Sequence, residues 1–182
     1  MNMLKAAPDS QFALAALVEI NCRRKDFGKA LEWFDKLQAT YPREAGIGQD
    51  LAARLIDSGQ YEKAAHVLEK LLEAERDYET VYLLGCTLVR AGKKEEAEKV
   101  LREAAGLDPA DFRAFHSLGY LHRDAGRKEE AREAWGRVLE LFPNFIEAQK
   151  NIEALEKQRV IDEHKAETFP EFNPLPRAFG GG

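Results

Sequence analysis

Apolar residues along this chain recur at steps of three and four positions, and short polar turns interrupt them at regular intervals. Such steps are typical of helices that bury one face. Residues 78–111 align over residues 112–145 without a gap, so the pattern has a period of 34 residues. Residues 11–44 fit the same frame, and residues 45–77 form a copy shortened by one residue. Each copy predicts a pair of helices.

Small residues mark the places where the two helices of a pair would approach closely. Gly85 and Gly119 belong to first helices, whereas Ala97 and Ala131 belong to second helices. Larger apolar side chains surround these positions and predict the core between the helices. They are Leu84, Leu88, Leu101, Phe115, Leu118 and Trp135. A proline cannot continue a helix, so three prolines indicate where second helices end. They are Pro42, Pro109 and Pro143.

The period and these recurring positions resemble the tetratricopeptide repeat. The resemblance implies an all-α fold, a superhelical solenoid of four repeats with a C-terminal capping helix and an extended tail. The predicted segments are an N-terminal cap at 1–10, repeats at 11–44, 45–77, 78–111 and 112–145, a capping helix at 146–167 and a tail at 168–182 rich in Phe, Pro and Gly.

Composition narrows the class of partner. Charged residues make up 32% of the chain, but the net charge is only −5 and no long block carries one sign, so neither nucleic acid nor a membrane is expected as a partner. The apolar stretch 12–20 is too short to span a bilayer. Cys22 and Cys86 lack the spacing of a zinc site or a disulfide framework, which favours a reducing, cytoplasmic location.

Two short motifs resemble catalytic sequences, but neither has the arrangement that catalysis requires. Residues 122–124 and 26–28 spell two protein-kinase triplets, but their order along the chain is reversed. The four histidines do not pair at the spacing of a zinc pattern. They are His66, His116, His122 and His164. We therefore expect no catalytic residue, no metal and no cofactor, and the chain is predicted not to be an enzyme.

The family resemblance implies that first helices line a concave groove that holds a peptide. Three- and four-residue steps that avoid the core stripe select the groove side chains. The predicted set is Tyr82, Cys86, Val89, Arg90, Arg113, His116, Tyr120, Arg123 and Lys150. Aromatic and arginine side chains are enriched in binding hot spots, which favours this half of the array. The alternative is that the tyrosines pack between helices and the arginines are ordinary solvated charge.

Heat-shock chaperone tails are not expected as ligands. Family members that bind such tails grip a terminal carboxylate with lysine, asparagine and arginine. At the matching places this sequence has Ala15, Glu19, Asp50, Glu79 and Leu83. Acidic side chains there would repel an acidic peptide end.

The predicted function is a non-catalytic protein-interaction module, an adaptor or assembly factor that binds a partner's peptide in the groove. The alternative is a permanent subunit of a larger complex that docks through its convex face and its tail. The tail carries four predicted anchors, Phe169, Phe172, Leu175 and Phe179, between prolines that favour an extended form. Docking on its own body, on a second copy or on a partner, and a disordered tail, all remain open.

Overall fold

The computed structural model describes residues 10–43 and 45–168, and within them the chain forms helices, turns and loops only. The helices are α1 (Gln11–Arg23), α2 (Phe27–Thr40), α3 (Ala45–Asp57), α4 (Tyr61–Ala74), α5 (Tyr78–Arg90), α6 (Lys94–Leu107), α7 (Phe112–Asp124), α8 (Lys128–Leu141) and α9 (Ile146–Thr168). The predicted all-α fold class is confirmed. The tail anchors and almost all of the N-terminal cap lie outside the described residues and remain predictions.

Side-chain caps define where several helices begin. The carboxylate of Asp77 accepts a hydrogen bond from the backbone N–H of Thr80 at 2.9 Å, and Asp111 accepts one from Arg113 at 2.8 Å. Ser10 and Asp26 cap α1 and α2 in the same way. Each bond satisfies a backbone donor that the first turn of a helix leaves free.

A three-residue turn joins the two helices of every pair, and its middle residue has a positive φ angle. Glycine occupies this position in three turns, as Gly59, Gly92 and Gly126, whereas the first turn has Lys25 at φ 59°. The next residue donates its N–H to a carbonyl five residues back, as Asp26 does to Asn21 at 2.9 Å. This left-handed ending of a helix favours glycine, because other residues clash there through their Cβ.

Replacing Lys25 with glycine should therefore raise the free energy of unfolding by about 0.5 kcal/mol. Relief of the left-handed strain, worth about 1 kcal/mol or more, is partly offset by the greater freedom of glycine in the unfolded chain. Urea titration followed by circular dichroism measures the change. The matched control is Gly92→Lys, which has open space around the new Cβ and should destabilise by about 1 kcal/mol. A loss of stability in Lys25→Gly would show that the left-handed backbone at Lys25 is not strained.

The core lies between the two helices of each pair. Small residues at the crossing points allow the backbones of the two helices to approach each other closely. A Cβ added at Gly85 would lie 2.7 Å from Leu101 Cδ2, and one at Gly119 would lie 2.2 Å from Trp135 Nε1. Ala97 and Ala131 on the second helices are fully buried. The predicted close crossings are confirmed. Gly48 makes a further one against Phe34 and Leu71, which the 34-residue period did not single out.

Most buried apolar side chains of the described residues belong to one of two clusters. The larger cluster extends from α1 to α7, whereas the smaller one lies at the end of the array and contains Ala131, Trp135, Val138 and Ala148. Ala148 belongs to α9, and half-buried Ile152 and Leu155 join the same cluster. Further along α9, Val160 and Ile161 are exposed. The first turns of α9 thus cover the apolar face of the last helix pair.

Candidate peptide-binding face

The nine side chains predicted for the groove lie on three helices that are in contact. Four of them are on α5, four on α7 and one on α9. Tyr82, Cys86, Arg113, His116 and Tyr120 are half-buried, and the other four are exposed, so none belongs to the core. We call these nine residues the α5–α7–α9 face.

Arg113 links α5 to α7. Its guanidinium donates hydrogen bonds to Asp111 at 2.7–3.1 Å and to Glu79 at 2.5–3.1 Å. It also lies 5.1 Å from the ring centroids of Tyr78 and Tyr82, which stack at 5.9 Å. The carboxylates of Asp111 and Glu79 raise the pKa of Arg113 above its usual value. Arg113 therefore holds the face together and offers little charge to a ligand.

Tyr78 contributes to this cluster, although the groove pattern omitted it. Burial, followed by the nearby Asp111 carboxylate, raises the pKa of its hydroxyl. A signal was present in the sequence, because Tyr78 and Phe112 are both aromatic and both open the first helix of a repeat. Phe112 occupies the corresponding place one repeat later, where its ring packs on Phe142 at 5.0 Å and on Phe145 at 4.9 Å.

Tyr120 connects α7 to α9. Its hydroxyl donates a hydrogen bond to Glu147 at 2.5 Å and accepts one from the side-chain amide of Asn151 at 3.1 Å. Its ring meets the buried indole of Trp135 edge to face at 5.4 Å. Glu147 and Asn151 lie one turn apart on α9, so these bonds fix the orientation of that helix on α7.

His116 lies among aromatic rings beside this connection. Its ring packs on Phe145 at 5.1 Å and on Tyr120 at 5.0 Å. Its Nε2 is 3.9 Å from a Glu147 oxygen and has no hydrogen-bond partner among the described residues. Burial lowers the pKa of His116, and the Glu147 charge opposes that shift only in part. The imidazole is therefore mainly neutral at pH 7.

The remaining cations differ in how far they are engaged. Arg123 stacks over Tyr120 at 4.8 Å and donates two hydrogen bonds to the adjacent Asp124 at 2.8–2.9 Å. Arg90 and Lys150 are exposed and have no carboxylate at ion-pair distance among the side chains that the structure describes. Val89, which precedes Arg90, is 39% exposed. Free positive charge thus lies at both edges of the α5–α7–α9 face, and exposed apolar surface lies at its α5 edge.

The kinase-like triplet at 122–124 is structural. His122 is buried, and its Nδ1 has no hydrogen-bond partner in the described part of the chain. Burial, aided by Arg127, lowers its pKa. Arg123 and Asp124 form an ion pair with each other. Among the described residues, no group of three or more His, Cys, Asp or Glu side chains is placed to hold a metal ion.

One sizeable cleft lies away from the predicted face. A cleft of about 630 Å³ lies where the first three helix pairs meet, and none of the nine predicted side chains lines it. Its lining residues are Pro42, Arg43, Ala45, Gln49, Leu71, Ala74, Glu75, Asp77 and Thr80. The α5–α7–α9 face spans three helices, which suits an extended segment better than a small molecule. None of the described helices is both long and apolar enough to cross a membrane.

Residues 82–144 match the family model of the tetratricopeptide repeat. This part of the chain consists of tetratricopeptide (TPR) repeats. It is similar to the TPR repeat-containing protein YpiA of Bacillus subtilis, with 31% identity over 64% of this chain and 28% of that protein. It is also similar to human N-alpha-acetyltransferase 25, the NatB auxiliary subunit, with 29% identity over 53% of this chain and 10% of that protein. The chain thus spans less than a third of either relative.

Solved TPR proteins share the fold of this chain. A crystal structure of MamA superposes with a TM-score of 0.66 at 21% identity and covers 92% of this chain and 98% of its own. The structure of YrrB, described as a TPR protein with an unusual peptide-binding site, gives a TM-score of 0.64 at 19% identity, over 93% of this chain and 88% of that one. The predicted TPR solenoid is confirmed, and the family supports a protein-interaction module.

Proposed function

We propose that this TPR protein is a non-catalytic adaptor or assembly factor of the cytoplasm, which binds a peptide segment of a partner protein along the α5–α7–α9 face. The observation that carries the proposal is that His116 and Tyr120 pack on each other on α7, while Tyr82 of α5 packs under Arg113, which links the two helices. A surface that is ordered before binding loses little entropy when a ligand arrives. Aromatic side chains of this kind commonly dominate the energetics of an interface.

The comparisons support the class of ligand. YrrB shares the fold and is described as having a peptide-binding site. At 19% sequence identity, the residues of that site are not transferred to this chain. Heat-shock chaperone tails remain excluded in the proposal, because the clamp positions of the related binders hold Ala15 and Glu19 here. Nucleic acid and membranes are not expected as partners in the proposal, because the net charge of the chain is −5 and no long block of the sequence is basic.

Reversing the charges of Arg90 and Arg123 should weaken binding of the native partner by about tenfold, because two cations at the face become acidic. The partner is isolated from native extract by affinity capture with quantitative mass spectrometry, and it is then titrated against the folded variants. Arg90→Glu alone should account for most of the loss, because Asp124 already engages Arg123.

Lys99→Glu provides the matched control. Lys99 is exposed on α6, away from the face, and no ion pair engages it among the described residues. Its reversal changes the net charge as much as Arg90→Glu does and should leave the affinity unchanged. If Arg90→Glu and Lys99→Glu bind the partner as tightly as the unmodified chain, the α5–α7–α9 face is not the binding site.

A second candidate is a permanent subunit of a larger assembly that docks through the convex face and the tail at 168–182. The similarity to an acetyltransferase auxiliary subunit favours it. Native mass spectrometry of material from its source distinguishes the two. A stoichiometric complex that survives high salt and keeps its affinity in Arg90→Glu supports the subunit, whereas a salt-sensitive complex supports the adaptor.

A further inference from the structure

The α5–α7–α9 face has a positive net charge, whereas the chain as a whole has a negative one. The nine residues of the face together with Lys157 of α9 include five basic side chains, and four carboxylates lie beside them, which gives +1 on a chain whose net charge is −5. The basic side chains are Arg90, Arg113, Arg123, Lys150 and Lys157, and the acidic ones are Glu79, Asp111, Asp124 and Glu147. The face is therefore positive on an acidic molecule.

All four acidic side chains are already engaged. Glu79 and Asp111 bind Arg113, Asp124 binds Arg123, and Glu147 accepts the hydrogen bond of Tyr120. Two of the five cations are used in these pairs. Arg90, Lys150 and Lys157 remain exposed without a carboxylate at ion-pair distance in the described part of the chain. The charge that the face can offer to a ligand is consequently all positive.

Arg90 and the two lysines lie on opposite sides of the aromatic residues. Arg90 ends α5, whereas Lys150 and Lys157 are on α9, with Tyr120 of α7 between them. Packed helices lie about 9 Å apart, so the axes of α5 and α9 are separated by about 18 Å, the length of about six extended residues. A single extended segment that crosses α7 can thus reach both sets of cations.

We propose that the ligand of this face is an extended protein segment with acidic side chains at both ends of an apolar centre. The inference rests on the proposed function and names the chemical class of its peptide. Internal carboxylates meet Arg90 on one side and Lys150 on the other, and the apolar centre covers Val89 and Tyr120. Recognition is by side chains within the segment, so a free chain end is not required.

Fluorescence anisotropy with three synthetic peptides tests this inference. Each is about ten residues long, labelled at its N-terminus and amidated at its C-terminus, with Leu and Phe at the centre. The flanking residues are glutamate in the first peptide, glutamine in the second and lysine in the third. The glutamate peptide should bind at least about tenfold more tightly than the glutamine peptide, and this advantage should shrink as salt rises from about 0.05 to 0.5 M. The lysine peptide should bind least.

A pair of charge-reversed variants locates the binding. Arg90→Glu with Lys150→Glu should abolish the preference for the glutamate peptide. Lys94→Glu with Lys99→Glu, at two exposed α6 lysines without ion-pair partners among the described residues, changes the net charge equally and should keep the preference. Equal loss of the preference in both double variants would overturn the assignment to this face.

The outcomes also separate this inference from the proposed function. If the glutamate and glutamine peptides bind equally well and both lose affinity in Tyr120→Ala, the face binds peptides without charge selection, and the inference is overturned while the function stands. If no peptide binds at any salt concentration while the isolated native partner still does, the acidic-segment inference is overturned. If the partner does not need the face either, the proposed function fails with it.

Discussion

Replacing Gly119 with alanine is expected to lower the free energy of unfolding by about 3 kcal/mol, although the change adds a single methyl group. A Cβ at this position would lie 2.2 Å from Nε1, 2.5 Å from Cε2 and 2.6 Å from Cδ1 of Trp135. These atoms belong to a rigid and fully buried indole, so relief requires the two helices to separate. The gain in helix propensity from glycine to alanine, about 1 kcal/mol, offsets only part of this.

The measurement is urea unfolding followed by tryptophan fluorescence and by circular dichroism. Gly136→Ala is the matched control, because Gly136 lies in α8 of the same pair and an added Cβ meets nothing within 4 Å. This variant should gain about 0.5–1 kcal/mol through helix propensity alone. Equal stability of the two alanine variants would show that α7 and α8 do not approach each other closely at Gly119.

The contrast between Gly119 and Gly136 shows what the sequence could predict. The 34-residue period identified Gly119 as a crossing residue, because Gly85 and Gly119 occupy the same position of successive repeats. Each repeat is a local unit that contacts mainly its neighbours, so a recurring position has a recurring environment. The helices, their pairing and the small residues at their crossings follow from that regularity. The backbone at Lys25 could not be predicted in this way. The other three turns have glycine at the left-handed position, whereas a lysine there does not indicate a positive φ angle.

The candidate face could be predicted only in part. Spacing alone placed nine side chains on neighbouring helices, because equivalent helical positions point the same way. It could not distinguish a free cation from one already paired. Arg113 and Arg90 look alike in sequence, yet Arg113 binds Asp111 and Glu79 whereas Arg90 has no such partner among the described residues. Glu79 and Arg113 are one period apart, so the repeat places them on neighbouring helices. The repeat does not say whether two such side chains form an ion pair.

Replacing Trp135 with alanine is expected to destabilise the end of the array by about 4 kcal/mol, which is typical of deleting a fully buried aromatic side chain. Trp135 is the largest side chain of the smaller core cluster, and its indole contacts both Gly119 and Tyr120. Its loss leaves a cavity between α7 and α8 and removes the support of the tyrosine that holds α9. The last helix pair and α9 should therefore unfold before the rest.

Partial unfolding of this kind is measurable because Trp33 remains as a reporter. Trp33 packs on the larger cluster in α2, far along the array from Trp135. Stability in repeat arrays is approximately a sum over units and their interfaces, so damage at one end need not unfold the other. In Trp135→Ala, circular dichroism should fall at a lower urea concentration than the change in Trp33 fluorescence. Coincident transitions would contradict the separation of the two clusters.

Combining the two substitutions tests whether both costs come from one contact. In the Trp135→Ala background the atoms that a Cβ at Gly119 would meet are gone, so Gly119→Ala should cost nothing or even add helix propensity. The coupling energy of the double-mutant cycle should then reach about 3 kcal/mol, the upper end for residues in direct contact. Costs that simply add would mean that Gly119 is needed for a reason other than the indole. A large coupling would instead show that the close crossing of Gly119 and Trp135 accounts for the cost of the added methyl group.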